Sequence, residues 1–250
     1  MSEPRVVAEG LSAGYGGPPA LRDVSFAAGA GQSVCVLGPN GGGKTTLFRA
    51  LLGELRPAAG SLRLTDRPAY LAQTDRTRLD FPVNALDVAL LGTLSAGRWW
   101  RPPAREDRAR AHAALGRVGL ADSARVPFGE LSGGQRRRAL LARSLVQGAE
   151  VMLLDEPLSG VDPASAELIA GVFDALRAEG RTLLVSTHDV ASARAFDLVL
   201  CLNGRQVAFG PPAAVLTRET LEATYGRELI VLSEGGEERL VTVQHHHTGH

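Results

Sequence analysis

Lysine is nearly absent from this chain. Of 27 basic residues in 250, 26 are arginines and the single lysine is Lys44. Charge of either sign is not in excess, since Lys+Arg and Asp+Glu both number 27. A balanced chain lacks the basic surplus of a nucleic-acid binder, so no nucleic acid is expected as a partner. Cysteine is limited to Cys35 and Cys201, each inside an apolar run (SVCVL, LVLCLN). Buried reduced thiols are expected there, with no disulfide or metal ligation. No apolar run approaches the roughly 20 residues that span a bilayer. The opening MSEPRVVAEG lacks the charged-then-apolar layout of a secretory signal. A soluble cytoplasmic protein is expected, one that would serve a membrane as a peripheral protein on its inner face.

What is present is a globular composition, with 44% hydrophobic residues. That suffices for one sizeable core. Residues 5–30 hold short β-like pieces (RVVAEGLSAGY, ALRDVSF) broken by Gly and Pro, the pattern of a small antiparallel layer. QSVCVLG, VMLLDEP, TLLVSTHD and LVLCLNG are apolar, β-rich runs, each ending in Gly or in polar residues. Helical stretches are predicted at Lys44–Leu52, Arg136–Gln147 and Ala164–Ala178. Alternation of this kind predicts an α/β fold with a parallel-sheet core. Between residues 81 and 130 the β signal gives way to helical spacing in ALDVALLGTL and REDRARAHAALGRVGL, joined by GRWWRPP. This predicts an inserted helical subdomain of about 81–130 within a single domain of 1–250, the core being 1–80 and 131–232. The end, ETLEATYGRELIVLSEGGEERLVTV, reads as a helix and a hairpin before a His-rich tail at 244–250.

Gly38-Pro39-Asn40-Gly41-Gly42-Gly43-Lys44-Thr45 matches GxxxxGK[ST] between a predicted strand and a predicted helix. Glycines let successive N–H groups turn inward on phosphates, and the helix start adds positive potential. Lys44 is expected to reach the β- and γ-phosphates of a nucleotide, and Thr45 to bind Mg²⁺. Thr46 is counted with the nucleotide-binding residues. A sequence this averse to lysine keeps one where a compact ammonium and a planar guanidinium are not equivalent. VMLLDEP delivers Asp155 and Glu156 at the C-terminal edge of a strand, where ligands sit in such sheets. Asp155 suits Mg²⁺, and Glu156 suits the general base that polarises the attacking water.

Those two elements describe many nucleotide hydrolases. Leu131-Ser132-Gly133-Gly134-Gln135 narrows the choice, because LSGGQ opening a helix makes another anion site. With it the chain resembles the ABC ATPase family, over roughly Arg5 to Leu232. The resemblance implies a P-loop NTPase (RecA-like) core, and a homodimer in which the signature of one subunit closes over ATP held by the other. It further implies that Tyr15 stacks on adenine, that Gln73 in YLAQ is a catalytic glutamine sensing Mg²⁺, and that Ser159-Gly160-Val161-Asp162 is the loop crossing the dimer interface. His188, after TLLVST, resembles the catalytic histidine that senses the γ-phosphate. One departure from the family is that Gly60–Gln73 is shorter than usual.

Several stretches are similar to the metal-importer group handling manganese, zinc or chelated iron: LDFPVNALDVALLG, RWWRPPAREDR, EPLSGVDPAS and STHDVASARAFDLVLCLNGRQVAFGPPAAVL. This implies integral membrane permease subunits as partners and, indirectly, an extracytoplasmic metal-binding protein. The alternative is a soluble ABC ATPase of the repair, translation or iron–sulfur assembly type. Those usually show tandem cassettes or special insertions, which this sequence lacks. His245, His246, His247 and His250 can bind a transition metal without any fold, or form a plain solvated terminus.

Overall fold

The computed structural model describes residues 3–73, 82–96, 102–226, 229–234 and 237–242. Trp99, Trp100 and the His-rich tail lie outside them. Two compact units form: residues 1–65 with 184–250, and residues 66–183.

In the first unit, β1 (Val6–Ala13), β2 (Leu21–Ala28) and β4 (Ala59–Leu64) make an antiparallel sheet in the order β2-β1-β4. In β2 the apolar Leu21, Val24, Phe26 and Ala28 are buried while Arg22, Asp23, Ser25 and Ala27 face outward. That alternation marks a sheet with one face on the core. β3 (Ser33–Leu37) is buried at every residue, as is most of β8 (Leu198–Leu202). The two run parallel, with Leu37 opposite Cys201. Strands without alternation belong to a sheet covered on both faces. β7 (Thr182–Thr187) enters this unit at Leu184, and the order here is β7-β3-β8-β9, with β9 (Gln206–Gly210) antiparallel at the edge. Helix α1 (Lys44–Leu51) follows β3 and buries Leu47 and Phe48 completely. Each contributes about 1.5–3 kcal/mol by leaving water. Both cysteines are buried free thiols. Burial pushes the Cys201 thiol up to about 11, which keeps it protonated and unreactive at neutral pH. Short α6 (Pro212–Val215) and α7 (Arg218–Tyr225) close this core with Val215, Leu221 and Tyr225, ahead of the hairpin β10 (Leu229–Glu234) and β11 (Glu237–Thr242).

The second unit pairs β5 (Ala69–Leu71) in parallel with the fully buried β6 (Val151–Asp155). Only the four residues Thr65–Pro68 separate β4 from β5. Helices α2 (Ala85–Leu90) and α3 (Arg105–Arg117) pack on each other and on α4 (Gly133–Val146), while α5 (Pro163–Ala178) also meets α4. The helical pattern ALDVALLGTL gives only a short α-helix. Thr93 donates to the Leu90 carbonyl and the chain tightens into a 3₁₀ turn over Leu91–Ala96. Two helices start earlier than their periodicity predicts. α4 begins at Gly133 because Ser132 caps it, and α5 at Pro163 because Asp162 caps it. Capping side chains supply the acceptors that the first N–H groups of a helix lack. Among the described residues no helix is long and apolar enough to cross a membrane.

Candidate functional site

The first unit carries the phosphate loop. β3 ends at Leu37 and α1 begins at Lys44, so Gly38–Gly43 must turn the chain and expose the first N–H groups of the helix. Gly43, the cap, has φ +100°, and a Cβ there would sit 2.8 Å from Leu21 Cδ1. Only glycine suits that backbone at that distance. The loop is pinned from outside by the Gly204 N–H, which donates to the Gly42 carbonyl at 2.9 Å. Lys44 is buried, and its Nζ donates to the carbonyls of Gly38 (2.6 Å) and Pro39 (3.1 Å). The ammonium is thus folded inside a ring of backbone. Thr45 is exposed beside it, and Thr46 is buried. Tyr15 is 56% exposed, a large value for an aromatic ring. Its hydroxyl lies 3.4 Å from Thr46 Oγ1 and the Arg49 guanidinium sits 5.6 Å from the ring centre. The structure therefore places a solvent-facing aromatic at the start of α1. His188 follows β7, and its carbonyl accepts from the Tyr225 hydroxyl at 3.3 Å.

The second unit carries the acidic pair and the signature. Asp155 and Glu156 are both buried at the end of β6. Tyr70 on β5 donates to Asp155 Oδ2 at 3.3 Å, fixing that carboxylate. Glu156 has φ +48°, a left-handed backbone that non-glycine residues rarely adopt. Such outliers persist only where the surroundings hold them, and they cluster at functional sites. Gln73 is exposed just past β5.

Ser132 and Gln135 form a reciprocal capping box: Gln135 N–H donates to Ser132 Oγ (3.2 Å) and Ser132 N–H to Gln135 Oε1 (2.9 Å). This aligns the start of α4 with Gly133 exposed and Leu131 buried beneath. A Cβ on Gly134 would lie 2.4 Å from Asp162 Oδ2 and from Ser165 Oγ, so the signature packs on the cap of α5. Ser159, Gly160 and Val161 form the turn between, with Ser159 N–H donating to the Glu156 carbonyl. Bonds from the Ser165 amide and hydroxyl hold the Asp162 carboxyl below the usual carboxylate range. Its capping contribution is therefore present above the unfolded pKa and is lost as pH falls through the lower folded value.

Tyr70, Arg137 and Tyr225 went unmarked by the motifs. Arg137 was detectable: with Gly134 and Leu141 it follows the i, i+3, i+7 spacing of the buried face of α4, an odd place for an arginine.

Known proteins resemble the chain over nearly its whole length. A family model described as ABC transporter matches residues 21–159. The manganese transport system ATP-binding protein MntB of Bacillus subtilis is 36% identical, covering 92% of this chain and 98% of that protein. The zinc transport system ATP-binding protein TroB of Treponema pallidum is 37% identical, covering 88% and 86%. Among solved structures, a metal-chelate type ABC transporter in an inward-facing conformation superposes with TM-score 0.83 at 26% identity, covering 97% of this chain and 98% of that one. With its phosphate loop, acidic strand end and capped signature helix in place, the chain belongs to the ABC transporter family, among its ATP-binding, ATP-hydrolysing subunits.

Proposed function

We propose that this chain hydrolyses ATP as one half of a head-to-tail homodimer and so drives a membrane permease importing manganese, zinc or chelated iron. The observation that carries the dimer reading is the capped start of α4. Ser132, Gly133 and Gly134 present a second anion-binding helix terminus that a subunit with its own phosphate loop does not need locally. The similarity to the manganese and zinc transport ATP-binding proteins MntB and TroB supports the metal assignment. On this reading the protein acts from the inner face of the membrane, with an extracytoplasmic metal-binding protein delivering the cargo.

The roles follow from the side chains. Tyr15 offers its exposed ring to adenine. The N–H groups of Gly41–Thr46 receive the phosphates, Pro39 having none to offer, and Lys44 moves its ammonium from the Gly38 and Pro39 carbonyls to the β- and γ-phosphate oxygens. Glu156 takes the proton of the attacking water, while His188 donates toward the γ-phosphate. Thr45, Asp155 and Gln73 bring hydroxyl, carboxylate and amide oxygens, a hard donor set suited to Mg²⁺. Among the described residues no cluster of three His, Cys, Asp or Glu could hold a metal ion. When bound, Mg²⁺ neutralises charge on the phosphate oxygens.

Two experiments test the reading. Ser132→Arg is expected to leave ATP binding by the monomer nearly unchanged while blocking hydrolysis. Mixed with Lys44→Ala, it should regain activity above either parent, because one composite site pairs the intact phosphate loop of one subunit with the intact signature of the other. Loss of monomer ATP binding in Ser132→Arg would place the signature in its own subunit's pocket and refute the arrangement. For the cargo, a strain deleted for this chain is expected to lose high-affinity uptake of radiolabelled manganese, zinc or chelated iron. Uptake of all three at the parental rate would refute metal import.

A further inference from the structure

Helix α4 carries a second device, two residues beyond its signature. Arg137 is 8% exposed, and every donor group of its guanidinium reaches a backbone carbonyl. Nε donates to Pro157 at 3.1 Å. Nη1 donates to Ala72 at 2.6 Å and Gln73 at 3.3 Å. Nη2 donates to Asp155 at 2.8 Å and Glu156 at 2.9 Å. A guanidinium has five N–H donors in one plane, and here five carbonyls from two segments answer them. Lysine, with three donors on a rotating ammonium, cannot reproduce that pattern.

The acceptors are not scattered. Asp155, Glu156 and Pro157 are consecutive and form the turn in which Glu156 takes its left-handed backbone. Ala72 and Gln73 lead out of β5. Gathering three carbonyls of one turn onto a single cation opposes relaxation of Glu156 to an ordinary conformation, which would swing at least one carbonyl away. The same cation stands on α4 only five residues past Ser132, about 7.5 Å along a rigid helix. Whatever engages the signature end of α4 therefore bears on the Glu156 turn and on Gln73 through one side chain.

We infer that Arg137 is a positioning residue that locks the Glu156 turn and the Gln73 segment to the signature helix, so that seating of the signature sets the aim of Glu156. The inference rests on the proposed role of Glu156 as general base. Displacing a reacting group by about 1 Å can cost on the order of a hundredfold in rate, so the effect should fall on turnover.

The test is steady-state ATPase kinetics on the full chain carrying Arg137→Lys, with ATP affinity and thermal melting measured alongside. The expected result is a kcat lowered by at least about tenfold, with KM and nucleotide affinity within about threefold of wild type and a melting temperature within a few degrees. Arg137→Ala, if it folds, should recover part of its lost turnover when millimolar guanidinium is added, which a general loss of packing would not allow. A wild-type kcat in Arg137→Lys overturns the inference. So does a parallel fall of kcat, affinity and melting temperature, which would make Arg137 a general packing residue. Glu156→Gln is run as a control. If it turns over at the wild-type rate, the assignment of the base fails. If it is inactive while Arg137→Lys is normal, only the positioning role fails.

Discussion

Glu156→Gln is expected to bind ATP as wild type does and to lose about 10²–10⁴-fold in turnover, the usual cost of removing a general base. The substitution is nearly isosteric and keeps an oxygen in place, so packing around this 5%-exposed side chain should survive. The φ of +48° at this position is a property of the backbone, and nothing in the change from carboxylate to amide relieves it. What is lost is the ability to accept a proton. Equal nucleotide affinity with abolished hydrolysis is the signature of an interaction used in the reaction and not in binding. Turnover at the wild-type rate would remove Glu156 from the mechanism.

Lys44→Arg is expected to weaken ATP binding at least about tenfold, roughly 1.4 kcal/mol, although the charge is kept. Lys44 Nζ already lies 2.6 Å from the Gly38 carbonyl inside the loop, leaving room for a compact ammonium and none for a planar fork. The rest of the chain makes this a sharp test. With arginine at the other 26 basic positions, composition alone favours the substitution. Fluorescence titration with a labelled nucleotide would measure it, and affinity within about twofold of wild type would make the solitary lysine an accident of composition.

Legibility in the sequence tracks how local each requirement is. A phosphate loop needs glycines, one lysine and a helix start within eight residues, and the structure has β3, the turn and α1 where that pattern places them. The signature is equally local, since Ser132 and Gln135 form their capping box within four residues. Continuous burial of SVCVL and VMLLD likewise follows from their unbroken apolar runs. What periodicity missed comes from individual hydrogen bonds, two of them local and one set reaching across the fold. The early start of α4 comes from a cap, not from the apolar stripe. The break after Leu90 comes from Thr93 tightening the chain. The reach of Arg137 depends on β5 and β6 lying side by side, with Tyr70 opposite Leu153 and Leu71 opposite Leu154. Three adjacent arginines look alike in sequence, yet only Arg137 is buried among them.

In the proposed dimer, ATP is held between two copies of this chain. The most direct measurement is the solution mass of Glu156→Gln, by size-exclusion chromatography with light scattering, in Mg-ATP and in ADP. With hydrolysis blocked, ATP should trap a dimer of twice the 26.3 kDa chain, and ADP should leave the monomer. A Glu156→Gln protein that binds ATP fully and remains a monomer at saturating nucleotide would contradict the head-to-tail dimer.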